Sequence, residues 1–190
     1  MNESNIVKRW EVFGLDNSVR ASKYPKSVDV DDCNSEITDR VMKLAGCEKG
    51  TGHDQFLTGI VVQFDLTFSL KAWVEAERYH FLDFVSSQST MHRITRLNPD
   101  KQCNEYVDQR VIDVLWNKIQ EYQFNPTPEN YLRVLYNVPS GFRLTARMTT
   151  NYRQLKTIYS QRKNHRLPEW RWFCDWIKSL PHSEMITGDE

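Results

Sequence analysis

The chain has 190 residues, with 25 Lys and Arg against 25 Asp and Glu, 39% hydrophobic and 12% aromatic content. That length and apolar fraction suffice for one packed core, and zero net charge excludes attraction to nucleic acid or membranes through bulk charge. Cys33, Cys47, Cys103 and Cys174 contain no C-x-x-C pair, which excludes a zinc ribbon or redox dithiol and suits reduced thiols. The segment MNESNIVKRW has no apolar signal core, and no apolar run reaches the roughly 18 residues of a membrane span. A cytoplasmic protein with no membrane partner is therefore expected.

Trp10 and Val12 predict a short first strand, followed by a loop rich in Ser, Lys and Pro. Residues 35–45 predict a helix with Ile37, Val41, Met42 and Leu44 on one side, Asn34 or Ser35 as cap and Gly46 as terminator. Ile60, Val62, Phe64, Leu66 and Phe68 alternate with other residues over 59–69, the signature of a half-buried strand. A helix is expected from about Leu70 to Phe84, with Trp73, Val74 and Phe81 toward the core. Another over 104–123 places Val107, Val111, Val114, Leu115, Ile119 and Tyr122 on one stripe. The turn at 125–128 ends it, and Pro128 opens a short helix through Val134.

Pro139, Ser140 and Gly141 then turn the chain into a strand with Phe142, Leu144, Ala146 and Met148 inward. Its outward residues are Arg143, Thr145, Arg147 and Thr149. Helices over 151–162 and 168–180 complete a single domain spanning 1–182, and 183–190 read as a flexible tail. Strands and helices intermix as in an α/β or α+β domain.

Between Arg143 and Arg171 stand eight Lys and Arg against one acid, Glu169. Arginines at a strand-to-helix junction can hold an anion, aided by the helix N-terminus; the competing reading is a solvated charged face. His80 lies among aromatics, which is the usual setting of a packed residue, and the hydroxyls of Ser86, Ser87, Ser89 and Thr90 suit a helix end. No G-x-S-x-G elbow and no Walker or dinucleotide glycine pattern occurs. His53, Asp54 and Cys47 fit no metal-ligand spacing, so no metal is expected. Trp172 and Trp176, one turn apart, read as core packing rather than a base-stacking platform.

Taken together, these segments resemble the flavin-dependent thymidylate synthases. The family carries Thr-x-Asn-x-Arg-x-Leu and a further arginine nine residues on; Thr149, Asn151, Arg153, Leu155 and Arg162 stand at those positions. Arg133, in LRVLYNVP, falls where the family has an Arg-[IV]-x-Leu-Pro segment, and Val19-Arg20-Ala21 resembles its early Arg-Ala element. His53 matches the histidine of its Gly-His-x-[ST]-Pro loop. The Arg-His-Arg motif is degraded to Tyr79-His80-Phe81, and in the following Glu-x-Ser-x-Arg-Tyr element Ser89 survives while Met91 replaces the arginine.

The resemblance implies an α+β fold with an antiparallel sheet flanked by helices, and a homotetramer with sites built across subunits. It implies FAD and dUMP as ligands, with methylenetetrahydrofolate and NADPH if the family reaction is retained. By position, Arg133 would hold the nucleotide phosphate and Arg162 would polarise the pyrimidine. His80, Asn151 and Arg153 would lie along the flavin, His53 on the folate side, and Ser89 near the nucleotide. Arg147 joins the substrate-binding set. Loss of the two motif arginines weakens the flavin half by roughly 1.5–3 kcal/mol per charged contact. The expectation is a divergent relative that binds a pyrimidine nucleotide and transfers a methyl or hydroxymethyl group to C5. The alternatives are a non-catalytic nucleotide sensor or interaction protein, and a nucleic-acid binder using 143–171.

Overall fold

The computed structural model describes residues 6–48 and 50–188. Its elements run β1 (Val7–Phe13), α1 (Leu15–Ala21), α2 (Asp39–Ala45), β2 (Val61–Ser69), α3 (Leu70–Ala76) and β3 (Asp83–Ser87). They continue with α4 (Thr90–Arg93), α5 (Pro99–Gln102), α6 (Gln109–Phe124), α7 (Pro128–Tyr136) and β4 (Arg143–Asn151). The chain ends in α8 (Tyr152–Arg162), α9 (Pro168–Ile177) and α10 (Glu184–Thr187). The strands form a four-stranded antiparallel sheet in the order β1-β2-β4-β3. Among the described residues no helix is long and apolar enough to cross a membrane.

Two compact units divide the chain: one comprises the chain up to Asp65, Tyr79–Val85 and Arg147 onward, the other Leu66–Arg78 and Ser86–Ala146. In the first unit Ile60, Val62 and Phe64 are fully buried, as their alternation requires, and so are Tyr152, Leu155, Ile158, Trp170 and Phe173. Phe64, Phe173 and Trp176 form an aromatic cluster with ring centroids 4.7–5.6 Å apart. Each such fully buried large apolar side chain stabilises the fold by roughly 1.5–3 kcal/mol. Tyr152 anchors the start of α8 by donating to Pro181 O at 2.5 Å. Met185 and Ile186 of α10 are buried, so residues 184–187 are packed rather than frayed.

Arg9 interrupts β1 with a left-handed φ of 48°, which costs a residue with a side chain about 1–2 kcal/mol.

In the second unit, Ile112, Leu115 and Ile119 of α6 pack with Ile94, Cys103, Val134, Phe142 and Leu144. The α6 stripe is thus rotated from the expected one, leaving Val111 and Val114 exposed. Asp108 caps α6 at Arg110 N, and Thr127 caps α7 ahead of Pro128. Trp73 is buried and its indole N–H donates to Leu144 O at 3.2 Å.

Two expected elements differ. The helix expected over 35–45 begins at Asp39, because Thr38 supplies the cap by accepting from Val41 N. The helix expected over 70–84 stops at Ala76. Residues 83–87 instead form an edge strand exposed along its whole length. Val74 and Phe81 are correspondingly exposed rather than in the core.

Candidate functional site

In the first unit, β4 ends at Asn151 and α8 begins one residue later, so the outward face of the strand leads onto the first turns of the helix. Asn151 is the N-cap, its Oδ1 accepting from Gln154 N at 2.9 Å, and it also lines the cleft described below. Arg153, Thr157 and Ser160 follow at helical spacing on one side of α8. With Asp54, Gln55 and Thr58 of the facing loop and the exposed ring of Phe81, they line a cleft of about 660 Å³. That lies within the range of small-molecule sites, roughly 300–1,000 Å³.

A buried carboxylate sets the electrostatics of this cleft. Asp54 is 5% exposed and accepts from Arg153 Nε at 3.0 Å and Lys156 Nζ at 3.2 Å. Lys156 spends its other donors on Ala45 O (2.5 Å) and Cys47 O (3.2 Å), so its ammonium is a brace between α8 and the preceding loop. Arg153 also donates Nη1 to Gln55 Oε1 at 2.8 Å. Two cations sharing one carboxylate leave a single formal positive charge beside the cleft, which Arg153 also lines.

Arg162 lies apart from these lining residues. It is 7% exposed, donates Nε to the Tyr79 hydroxyl at 2.7 Å and contacts His165 Nε2 through Nη1 at 2.7 Å. Its guanidinium carbon sits 4.8 Å from the centre of the Trp170 ring and 5.5 Å from that of Tyr79. Tyr79 itself is buried and donates to Gln161 Oε1 at 3.0 Å. The aromatic residue at the first position of the degraded motif is therefore a structural partner of Arg162. Phe81, at the third position, is the one that reaches the cleft.

The remaining expected residues are dispersed. His80 is exposed in the turn before β3, and His53 is exposed beside Asp54 without lining the cleft. Arg147 lies on the outer sheet face, bonded to Asp65 and to Arg9 O. Ser89 and Arg133 belong to the second unit. Ser89 precedes α4 without capping it through its hydroxyl, and Arg133 is ion-paired with Glu129 at 2.7 Å. There, α7 is tied to α4 by the Tyr131 hydroxyl, which donates to Met91 O at 2.8 Å.

Asp54, Gln55, Thr58, Lys156 and Ser160 were not singled out as cleft residues by the sequence reading. An Arg-x-x-Lys pair on a helix signals a shared acid, but that acid lies about a hundred residues upstream. Burial pushes the Cys174 thiol up to about 12 and the Cys103 thiol up to about 11, each reinforced by a neighbouring aspartate, so neither is an activated nucleophile. Among the described residues no cluster of three His, Cys, Asp or Glu could hold a metal.

No family model matches the sequence, and no curated protein aligns with it significantly. Solved structures do match. Thymidylate synthase X from Helicobacter pylori, crystallised with FAD and dUMP, superposes with a TM-score of 0.72 at 16% identity. The match covers 97% of this chain and 96% of that one. A second structure of the same enzyme with FAD and dUMP gives a TM-score of 0.69 at 16% identity, over 97% of each chain. The fold is that of thymidylate synthase X. A UMP/dUMP methylase from Streptomyces cacaoi, bound with 5-Br dUMP, shares it at a TM-score of 0.65 and 14% identity, over 95% and 93% of the two chains.

On this thymidylate synthase X fold, the residues present do not fit FAD as a tightly held group. Of the two motif positions that lack arginine, Tyr79 is consumed by Arg162 and Gln161, and Phe81 brings no charge-assisted donor to the cleft.

Proposed function

We propose that this protein binds a pyrimidine nucleotide of the dUMP class in the cleft at the start of α8. One observation carries the reading: an exposed aromatic ring, Phe81, stands in a cleft with the side-chain amides of Asn151 and Gln154 and the Arg153 guanidinium. A base would stack on Phe81 and be read by the amides, while Arg153 would meet a carbonyl or phosphate oxygen. Arg147, Arg133 and Ser89 are proposed as the wider substrate set, and C5 transfer of a methyl or hydroxymethyl group as the reaction class, with Arg162 and Ser89 as its catalytic residues. FAD is expected to bind weakly, alongside His80, Asn151, Arg153 and His53. Methylenetetrahydrofolate and NADPH enter only if it does. A cytoplasmic homotetramer is proposed on the same grounds of resemblance.

The commitment of Arg162 to Tyr79 and His165 favours a second reading, a nucleotide sensor or interaction protein without turnover. Nucleic-acid binding through 143–171 is the least favoured. Arg147, Arg153 and Lys156 are each bonded to a carboxylate, and Arg143 and Arg171 to backbone carbonyls.

Calorimetric titration with dUMP, UMP and dCMP tests the nucleotide reading. Arg153→Gln is expected to weaken binding about 10- to 100-fold, the loss of one charge-assisted hydrogen bond, and Phe81→Ala about tenfold. Failure of all three nucleotides to bind at millimolar concentration overturns it. Exchange of the C5 hydrogen of bound dUMP with solvent distinguishes turnover from sensing.

A further inference from the structure

Away from the cleft, the outer sheet face of the first unit holds two arginines bridged by one buried carboxylate. Asp65 is 9% exposed and accepts from Arg9 Nε at 2.6 Å and from Arg147 Nη1 at 3.4 Å. Arg147 Nη1 also donates to the backbone carbonyl of Arg9 at 2.5 Å, and its Nη2 approaches Gln63 Oε1 at 3.5 Å. These bonds hold Arg9 in its left-handed conformation, which among the other described non-glycine residues only His182 shares.

The product of that strain is specific. The Arg9 side chain is 81% exposed, yet its Nε is fixed, so Nη1 and Nη2 project from an anchored guanidinium. Neither has a protein partner among the described residues. A purely structural ion pair for Asp65 needs one arginine; here a second is recruited at the expense of backbone strain. Two guanidiniums against one carboxylate leave one positive charge, and the open donors are those of the Arg9 fork, a geometry that matches the oxygens of phosphate. Strained backbone that surrounding contacts over-determine is a mark of binding sites.

We propose that Arg9 and Arg147 form a site for the phosphate group of a small phosphorylated ligand, with Asp65 holding the two guanidiniums in register. Arg9 is the residue with open donors, Arg147 the one that fixes the Arg9 backbone, and Gln63 steadies Arg147. None of its residues, all on β1, β2 and β4, lines the cleft, and Arg147 is the one residue it shares with the wider substrate set proposed above.

Calorimetry with inorganic pyrophosphate at low ionic strength tests it, with succinate at matched ionic strength as a control for charge without tetrahedral oxygens. The expected result is saturable pyrophosphate binding that weakens steeply with salt and far exceeds succinate binding. Arg9→Gly should weaken it at least tenfold in a protein that remains folded, the relief of strain offsetting part of the loss of the 2.6 Å bond to Asp65. Arg9→Lys, which keeps the charge but not the fork, should weaken it several-fold. No binding by the native protein, equal binding by Arg9→Gly, or equal binding of succinate overturns the site. Should pyrophosphate bind through Arg9 while dUMP, UMP and dCMP all fail, this site stands and the nucleotide reading of the cleft falls; the reverse result separates them equally well.

Discussion

Tyr79 accepts a hydrogen bond from Arg162 Nε at 2.7 Å and donates from the same oxygen to Gln161 at 3.0 Å. The phenol thus links two residues of α8 to the turn before β3, and Trp170 closes the other side of the guanidinium. Tyr79→Phe should destabilise the protein by about 1–3 kcal/mol, because a buried charged donor loses its acceptor, as read from urea unfolding. Tyr79→Arg restores the residue found in the resembled motif, yet it sets two guanidiniums in one buried space. The expected outcome is a larger loss of stability and no gain in FAD affinity. A folded Tyr79→Arg protein that binds flavin tightly would show that the aromatic cage is dispensable.

Lys156 and Arg153 share Asp54 but should respond differently to substitution. Lys156→Met leaves Ala45 O and Cys47 O without their donor and Asp54 with one partner. A loss of about 2–4 kcal/mol is expected, below the full penalty for breaking a buried pair because the lysine is partly exposed. Arg153→Gln leaves Asp54 with Lys156, so its stability should change by less than about 1 kcal/mol while nucleotide affinity falls. Denaturation midpoints and calorimetry on the two variants resolve the roles; equal destabilisation by both would remove Arg153 from the binding set.

Much of the first unit was legible because period and burial agree. Ile60, Val62 and Phe64, and the inward residues of β4, alternate over strands with one buried face, so sequence and packing carry the same signal. β3 gave none, since both its faces are exposed and no alternation is imposed. The pairing of the basic segment was hidden for a different reason. Its only acid in sequence is Glu169, but Asp54 and Asp65 reach Arg153, Lys156 and Arg147 across 82 to 102 residues of chain. Asn151 and Arg153 were found through motif resemblance. Phe81 was found only as a departure from the motif, and its place in the cleft depends on α3 ending early.

Gly14 gives a sharp test of the first unit's packing. Its φ is 75°, and a Cβ added there would lie 2.5 Å from Gly59 O. Left-handed strain alone costs about 1–2 kcal/mol in a residue with a side chain, and a backbone clash adds to it. Gly14→Ala should therefore destabilise by at least about 2 kcal/mol, lowering the denaturation midpoint without altering the secondary structure of the folded protein. An unchanged midpoint would mean that the β1–α1 turn can move away from the loop ahead of β2.

Cys103 and Cys174 impose an alkaline limit on stability. Burial raises the two thiols to about 11 and about 12 from an ordinary value of 9.0. A group whose folded pKa lies above its unfolded one binds its proton more tightly when folded, so its contribution is complete below pH 9. It is then lost as pH rises through 11–12, because the unfolded thiols ionise first and draw the equilibrium toward unfolding. Unfolding free energy should fall across pH 9–12, and Cys174→Ala should flatten that fall while lowering stability at neutral pH through the vacated volume. Native protein at pH 8 should react with Ellman's reagent through the half-exposed Cys33 and Cys47, with Cys103 and Cys174 following only on addition of denaturant. Rapid reaction of all four thiols without denaturant would mean that both units open far more readily than their packing implies.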